Sequence, residues 1–214
     1  MGFTHTWKYL RARLTVGIWE AIKLDTYILL SHLPEHSLSA GGHYSEAPLK
    51  LIGMNGSPPI VSNGRIIFNG DGSQPKEDAD PYGRDCEDPL GCETFCLYRN
   101  WRATLRDYLK EDPTNEWNKG CLKEKRYSEF CKTNRKPYDL VVCAVLAIAT
   151  QRAPGWLRIT SSDGDASDWQ PAVDWASEVL DRRIINPINH GIVIGEVDEA
   201  GAVQVGEGVL ACSS

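Results

Sequence analysis

Residues 130–149 read FCKTNRKPYDLVVCAVLAIA, and this stretch decides the fold. Its second half is apolar throughout but too short to cross a bilayer, which predicts a helix buried against a sheet. Pro137 has a fixed φ and no N–H, so it suits a first helical position, and the helix is expected to begin near Lys136. Asp139 then lies in the first turn, where the helix dipole favours a negative charge. Any site at this turn would rest on a rigid base.

A cationic turn precedes the predicted helix. Lys132, Arg135 and Lys136 lie between a short aromatic-rich strand near 127–133 and the helix N-terminus. Free backbone N–H groups at a helix N-terminus, together with such cations, can bind a phosphate or a carboxylate. Ordinary solvated loop charges explain the same run, and the sequence leaves both interpretations open.

Length and composition are typical of one soluble domain. The chain has 214 residues, which is enough for a single domain with a full core. Its net charge of −6 argues against a protein that coats nucleic acid through bulk charge. The seven cysteines are irregularly spaced and Cys143 falls inside the apolar helix, so we expect no complete disulfide framework. Because the N-terminus has no secretory signal pattern, we expect a cytoplasmic protein in a reducing compartment.

The remaining patterns predict one α+β domain, residues 1–214. The stretch from Phe3 to Tyr9 alternates aromatic and polar residues, which is typical of a strand with His5 on its buried face. Gly, Pro and Asn-Gly punctuate the following chain into short segments. The other predicted elements are a helix at 15–33, short strands at 49–53, 65–70 and 92–98, an acidic inserted loop at 71–91 and a C-terminal hairpin at 191–209.

The elements around the central helix predict a βαβα unit in a mixed central sheet. The helix is followed by a second strand at 156–160 and by a helix in which Ser167 and Gln170 fit a capping box. Sites in such units lie at the carboxyl ends of the strands. This rule predicts that the cationic turn at 133–136 and the loop at 161–165 share one rim.

The predicted rim contains side chains suited to acyl transfer or to phosphate-ester chemistry. It combines nucleophiles, groups that carry protons, and cations that stabilise negative charge. The sequence has no P-loop, dinucleotide fingerprint, Gly-x-Ser-x-Gly or His-Glu-x-x-His motif, and we predict no cofactor and no metal. The predicted catalytic residues are His5, Lys132, Tyr138, Ser162 and Asp163, with Cys131 and Ser161 as alternative nucleophiles. The predicted substrate-binding residues are Asn69, Glu93, Thr133, Arg135, Lys136, Asp139 and Ser161.

A basic segment runs from residue 99 to residue 136. Its lysines and arginines alternate with Trp101, Tyr108, Trp117 and Tyr127. Basic side chains with interspersed aromatic rings can follow a phosphate backbone and stack on exposed bases. The segment therefore predicts a nucleic-acid partner, with tRNA as the specific candidate. An ordinary solvated surface is the alternative, because acids are present in the same segment.

Several short motifs resemble those of a family of small, uncharacterised microbial proteins. They are GFTHxW at 2–7, FNG at 68–70, ExF at 93–95, FCKTxRKPYD at 130–139 and SSDG at 161–164. The FCKTxRKPYD block is the most specific of them. Thr6 departs from the tyrosine that is usual in that family, and the acidic insertion and C-terminal hairpin indicate a diverged branch.

In size and in lacking standard motifs, the chain also resembles the fungal arginine-containing cyclodipeptide synthases, which take aminoacyl groups from tRNA. This resemblance implies that the basic segment meets tRNA and that Glu93 or Asp163 binds an arginine guanidinium through a bidentate pair. It also implies aminoacyl transfer without a metal. We therefore expect an aminoacyl- or acyl-transfer enzyme. The alternatives are a non-catalytic module that binds a phosphate or carboxylate ligand, and a phosphoesterase or nuclease.

Overall fold

The computed structural model describes residues 3–11, 13–35, 37–38, 44–45, 48–71, 91–162 and 165–188. The interior of the predicted acidic loop, Asp163 and the predicted hairpin at 191–209 lie outside these ranges. The described residues combine helices with antiparallel sheets, which confirms the α+β class.

Helices and strands are mixed along the chain, and the predicted helix at 15–33 and strands at 3–9, 65–70 and 156–160 are present with small shifts at their ends. In chain order the elements are β1 (Thr4–Tyr9), α1 (Val16–Ser31), β2 (Ser37–Leu38), β3 (Tyr44–Ser45), β4 (Leu51–Ile52), a 3-10 turn (Met54–Gly56), β5 (Ile60–Val61), β6 (Arg65–Gly70), β7 (Phe95–Tyr98), α2 (Trp101–Glu111), α3 (Glu116–Glu124), β8 (Ser128–Lys132), α4 (Asp139–Arg152), β9 (Leu157–Ser161) and α5 (Ala166–Val179).

The central sheet has the strand order β8-β1-β9. Strand β1 pairs antiparallel with both neighbours, so β8 and β9 run parallel to each other and end at the same edge. The succession β8, α4, β9, α5 is the predicted βαβα unit, but β1 lies between its two strands. The expectation of a mixed sheet is therefore wrong for the described strands, because the two parallel strands never pair directly.

The two faces of the central sheet differ sharply in burial. In β1, His5, Trp7 and Tyr9 are buried, while the intervening Lys8 is exposed and Thr6 is half-buried. This is the alternation expected of a strand with one face on the core, since successive side chains point to opposite faces. We call the buried side the inner face and the other side the outer face.

Helix α4 is the centre of the core. Residues 141–149 are all buried, as the uninterrupted apolar run predicts, and the helix packs between α1, α5 and β9. It begins at Asp139 rather than near Lys136. Asn134 and Arg135 adopt left-handed backbone conformations, with φ of 51° and 57°, so the chain is still turning where a helix was expected.

A second sheet is built around β6, which pairs antiparallel with β4, β5 and β7. Glu93, just before β7, fixes this sheet to the edge of β8. Its main-chain N–H donates to the Lys132 carbonyl oxygen at 3.1 Å, and its carboxylate accepts from the Lys132 N–H at 2.7 Å. An edge strand that would otherwise expose unpaired N–H and C=O groups is thereby covered.

Helix α5 begins earlier than its predicted capping box. Asp165 is the cap, with its carboxylate accepting from the Ser167 N–H at 2.7 Å, and Asp168 accepts from the Asp165 N–H at 3.1 Å. The prediction that Ser167 and Gln170 form the box is therefore wrong. An ionised carboxylate binds the free N–H groups of a helix N-terminus more strongly than a hydroxyl does, and it also complements the helix dipole.

Candidate active site

A hydrogen-bonded relay crosses the inner face at the edge where β8 and β9 end. The Nδ1 atom of His5 lies 2.7 Å from the Ser161 Oγ, and its Nε2 atom lies 2.7 Å from the Asp139 Oδ1. His5 is fully buried and Asp139 is 2% exposed, whereas Ser161 is half-buried and closest to solvent. The relay therefore leads from a shielded carboxylate to a hydroxyl at the surface.

Strand register explains why these side chains meet. His5 stands directly opposite Ser161 in the β1–β9 pair and opposite Cys131 in the β1–β8 pair. Residues directly opposite each other in an antiparallel pair place their side chains on the same face, about 5 Å apart. Asp139 is the first residue of α4 and reaches the other side of the imidazole ring.

The partners of His5 decide where its proton lies. When Asp139 is ionised its carboxylate can only accept, so the contact then requires the hydrogen on His5 Nε2. The Nδ1 atom is then an acceptor, and the Ser161 hydroxyl donates to it. The Trp169 indole N–H donates to the same Ser161 oxygen at 3.1 Å. Ser161 keeps one free lone pair, which is the arrangement of a serine prepared for nucleophilic attack.

Asp139 is placed to complement positive charge on the imidazole ring of His5. It lies at the N-terminus of α4, where the free N–H groups and the helix dipole stabilise a negative charge. The charge is also bound directly by the imidazole N–H. A buried carboxylate with these partners can hold the ring orientation and can stabilise an imidazolium when one forms.

Cys143 lies one helical turn after Asp139 and completes the buried cluster. Its Sγ atom lies 3.4 Å from His5 Nε2 and 3.9 Å from Asp139 Oδ2. Burial, and then the Asp139 charge, raise the pKa of the Cys143 thiol well above its usual value. The raised pKa favours the neutral thiol of Cys143, which is a poor nucleophile.

His5, Asp139 and Cys143 could hold a metal, because one ligand atom from each lies within 4.8 Å of the others. Imidazole, thiolate and carboxylate are the ligand types that zinc takes. However, the 2.7 Å between His5 Nε2 and Asp139 Oδ1 is a hydrogen-bond distance. Two ligands on a tetrahedral zinc, at about 2.0 Å from the ion, would stand about 3.3 Å apart. The geometry favours a shared proton over a metal ion.

Tyr138 and Cys131 are buried beside the relay, in a junction with Glu93. The Tyr138 hydroxyl donates to the Glu93 carbonyl oxygen at 2.8 Å, and the Cys131 thiol donates to the same oxygen at 3.3 Å. Burial raises the pKa of both Tyr138 and Cys131 well above their usual values. The predicted proton carrier Tyr138 therefore stays protonated and holds the junction between β8 and the second sheet.

Ser162 and Lys132 are not part of the relay. The Ser162 N–H donates to the Thr4 carbonyl oxygen at 2.9 Å, and its hydroxyl oxygen accepts from the Thr4 N–H at 3.0 Å. Lys132 stands opposite Thr4 in the β1–β8 pair. Lys132 is thus one step out of register with His5, so its side chain lies on the outer face, and the Ser162 hydroxyl is bonded to the Thr4 main chain and not to His5.

The cationic turn is tied into the structure more than was predicted. The Arg135 guanidinium pairs with Asp168 at 2.7 Å and lies 4.3 Å from the centre of the Phe3 ring. Thr133 is fully buried, and its N–H donates to the Phe3 carbonyl oxygen at 3.0 Å. The Lys136 N–H donates to the Thr133 carbonyl oxygen, while the Lys136 side chain is half-buried. The Arg135 charge is therefore paired within the protein, whereas Lys132 and Lys136 have no ion pair among the described residues.

Asn69 lies in the second sheet, away from the relay. Its side-chain amide donates to the Cys92 carbonyl oxygen at 2.9 Å and its amide oxygen accepts from the Gly70 N–H at 2.8 Å, so it fixes the chain entering β7. Asp163 lies outside the described residues. Of the predicted site residues, the structure thus brings His5, Asp139 and Ser161 together.

Sequence reasoning missed the contributions of Cys143 and Trp169. The spacing of Cys143 from Asp139 was an available signal, because residues four apart lie on the same face of a helix. Trp169 gave no such signal, since it fits the apolar stripe of α5 and its N–H contact depends on tertiary packing.

The basic segment 99–136 carries several local ion pairs and buries part of its aromatic side chains, and its binding of nucleic acid stays a prediction. Lys110 pairs with Asp107 on α2, and Lys119 pairs with Glu116 on α3. Arg126 pairs with Glu124 at the end of α3. Its aromatic residues Trp101 and Tyr127 are buried at 1% and 6% exposure, so these rings cannot stack on bases. Trp117, in contrast, is 70% exposed.

Comparison of the chain with protein-family models, curated proteins and solved structures gives no match. In the described ranges, no helix combines the length and the apolar character needed to span a bilayer. Cys92 is disulfide-bonded, while Cys96, Cys121, Cys131 and Cys143 are free. Because disulfides are more common in oxidising compartments, the cytoplasmic location stays a prediction.

Proposed function

We propose that the chain is an acyl-transfer enzyme in which Ser161 is the nucleophile, His5 the general base and Asp139 the residue that orients and stabilises the base. The observation that supports this most directly is the unbroken relay of two 2.7 Å contacts from Asp139 through His5 to Ser161. Its outer end is half-buried and its inner end is shielded from water. A catalytic serine needs this gradient of exposure.

In the proposed reaction the Ser161 Oγ attacks the acyl carbonyl carbon while its proton passes to His5 Nδ1. His5 then gives that proton to the departing alcohol or amine, which leaves an acyl ester on Ser161. A second nucleophile, an amine, an alcohol or water, loses its proton to His5 and attacks the ester. Ser161 is restored when it takes the proton back, so no external proton source or oxidant is needed.

The two ring nitrogens have exchanged roles relative to serine proteases, in which Nε2 faces the serine and Nδ1 faces the aspartate. This exchange does not change the chemistry of the base, because each nitrogen presents its lone pair or its hydrogen in the ring plane. Asp139 still fixes one tautomer, and Ser161 still meets the free lone pair. Such constellations are recognised by geometry and role rather than by position in the chain.

As the specific acyl donor we propose an aminoacyl ester carried by tRNA, which the resemblance to cyclodipeptide synthases implies. An ester carbonyl is activated enough for a serine to attack it with general-base help alone. Incubation with charged tRNAs, followed by mass spectrometry for aminoacyl-Ser161 and for an arginine-containing diketopiperazine, tests this donor. If neither product forms while a generic serine probe still labels Ser161, the hypothesis of a tRNA donor is refuted, but the proposal of acyl transfer is not.

The decisive experiment for acyl transfer uses a fluorophosphonate probe, which reacts with activated serines. We expect labelling at Ser161, located by peptide mass spectrometry, and none in Ser161→Ala. His5→Gln and Asp139→Asn should slow labelling by about a hundredfold or more. Ser162→Ala is the matched control, because it removes a neighbouring hydroxyl that is bonded to the Thr4 main chain and not to His5. Unchanged labelling in Ser161→Ala, with circular dichroism showing folded protein, would refute the proposal.

A further inference from the structure

The outer face of the central sheet is open to solvent and has a regular composition. Strand register arranges its side chains in three rows, one residue from each strand per row. The rows are Ser128, Lys8 and Arg158; Phe130, Thr6 and Thr160; and Lys132, Thr4 and Ser162, the last joined by its hydrogen bonds to Thr4.

The charge of the outer face has one sign. Lys8, Lys132 and Arg158 are its charged members, and no acid is present in the three rows. Among the residues that the structure describes, none of these three cations has a carboxylate within ion-pair distance. The neighbouring Glu93 carboxylate is bonded to a main-chain N–H. This local basic face contrasts with the net charge of −6 of the whole chain.

Phe130 lies in the middle row and is 59% exposed. A phenyl ring on β8, with Thr6 beside it and Thr160 one strand further along the row, offers an apolar surface of the size of a nucleobase. Lys8 and Thr4 are four residues apart on β1, so the two charged rows stand about 13 Å apart with Phe130 between them. A base stacked on Phe130 would have cations on both sides for its flanking phosphates.

We propose that the outer face of the central sheet binds single-stranded nucleic acid. Phe130 stacks on one base, Lys8, Lys132 and Arg158 contact phosphates, and the threonine hydroxyls donate to or accept from sugar and base atoms. Sheets with exposed aromatic rings read unpaired bases in this way, and phosphate-directed cations supply most of the affinity. A duplex fits less well, since its bases are stacked on one another and offer no free ring face to Phe130.

This proposal goes beyond acyl transfer and does not depend on it. The two surfaces are separate, because the relay lies on the inner face and the rows lie on the outer face. They come together at the edge of the sheet where β9 ends at Ser161. A single-stranded nucleic acid bound across the outer face would therefore have one end beside the proposed nucleophile, Ser161.

Fluorescence anisotropy with a labelled ten-nucleotide oligouridine tests the proposal on the full chain. With three phosphate contacts, log K should fall with log salt at a slope of about −2, which is about a twenty-fold loss between 50 and 200 mM salt. Phe130→Ala should weaken binding at least about five-fold. Lys8→Glu and Arg158→Glu should weaken it further and make the slope shallower.

Matched controls lie elsewhere on the surface. Trp117→Ala removes an aromatic ring that is 70% exposed on α3, and Lys110→Glu reverses a charge on α2, so neither should change the affinity. Equal affinity for the oligonucleotide in Phe130→Ala, no binding at 50 mM salt, or tighter binding to polyglutamate than to RNA would each overturn the proposal. Fluorophosphonate labelling of Phe130→Ala should be normal, which separates this test from that of acyl transfer.

Discussion

Arg135 places its guanidinium against both carboxylate oxygens of Asp168, with Nη1–Oδ1 at 2.7 Å and Nη2–Oδ2 at 3.3 Å. The pair joins the turn before α4 to the first turn of α5. Because the relay runs between these two helices, the pair holds the elements that carry Asp139 and Trp169 at a fixed separation. The same Asp168 oxygen that binds Nη2 also accepts from the Asp165 N–H.

We expect Asp168→Asn to lower the free energy of unfolding by about 2 kcal/mol, measured by urea denaturation, because a bidentate charge-assisted contact and a cap are weakened together. Asp174→Asn on the same helix is the control, since Asp174 is exposed and accepts from the neighbouring Gln170 on the surface of α5. A similar loss in both variants would show that the Arg135 pair has no special role.

Trp169→Phe should slow fluorophosphonate labelling about tenfold, because the indole N–H that fixes the Ser161 oxygen is lost while the ring packing is largely kept. The loss should appear in the maximal labelling rate and not in the probe concentration at half-maximal rate. A purely structural role for Trp169 would not produce that separation. Trp175→Phe, also on α5, is the matched control and should leave both parameters unchanged.

The parts of the fold that depend on local pattern were predictable. The apolar run gave α4, and the alternation from Phe3 to Tyr9 gave β1 with His5 facing the core. The start of α4 was placed too early because Asn134 and Arg135 adopt positive φ without being glycine. Their conformation is set by tertiary contacts of the turn, such as the Asn134 N–H donating to the Phe3 carbonyl oxygen.

For the candidate site, the sequence predicted a set of candidate residues but not how they are arranged. The turn at 133–136 and the loop at 161–165 were expected at one rim, and β8 and β9 do end at one sheet edge, but for a different reason. The expectation assumed neighbouring parallel strands, whereas β1 separates β8 from β9 and inserts His5 between them. The distinction between Ser161 and Ser162 depends on register, because a shift of one residue moves a side chain to the opposite face.

Asp25→Asn should destabilise the protein by about 3 kcal/mol, because it leaves two arginines without their shared counter-ion. Asp25 is 4% exposed and accepts from Arg152 at 2.8 and 3.0 Å and from Arg182, which ties α1 to α4 and to the segment after α5. Thermal and urea unfolding measure the loss. Glu20→Gln breaks an exposed pair on the same helix and should change stability by no more than about 0.5 kcal/mol.

Glu129 should make stability depend on pH near neutrality. Burial is the main cause that raises the pKa of Glu129 to about 7 from an ordinary value of 4.5, and the charge of Glu93 adds to it. Its carboxyl is bonded to the Tyr127 hydroxyl. Between these two pH values the folded chain holds a proton on Glu129 that the unfolded chain has released.

The free energy of unfolding should therefore fall as the pH rises from 4.5 to 7, and the Glu129 contribution should be constant above that range. In Glu129→Gln this fall should be absent. The free energy of unfolding of the variant, relative to that of the wild type, should therefore increase as the pH rises. Urea unfolding at half-unit intervals from pH 4.5 to 8 measures the difference, with Glu124→Gln, on the exposed end of α3, as the control. Parallel curves for the wild type and Glu129→Gln would mean that Glu129 ionises alike in the folded and unfolded chains.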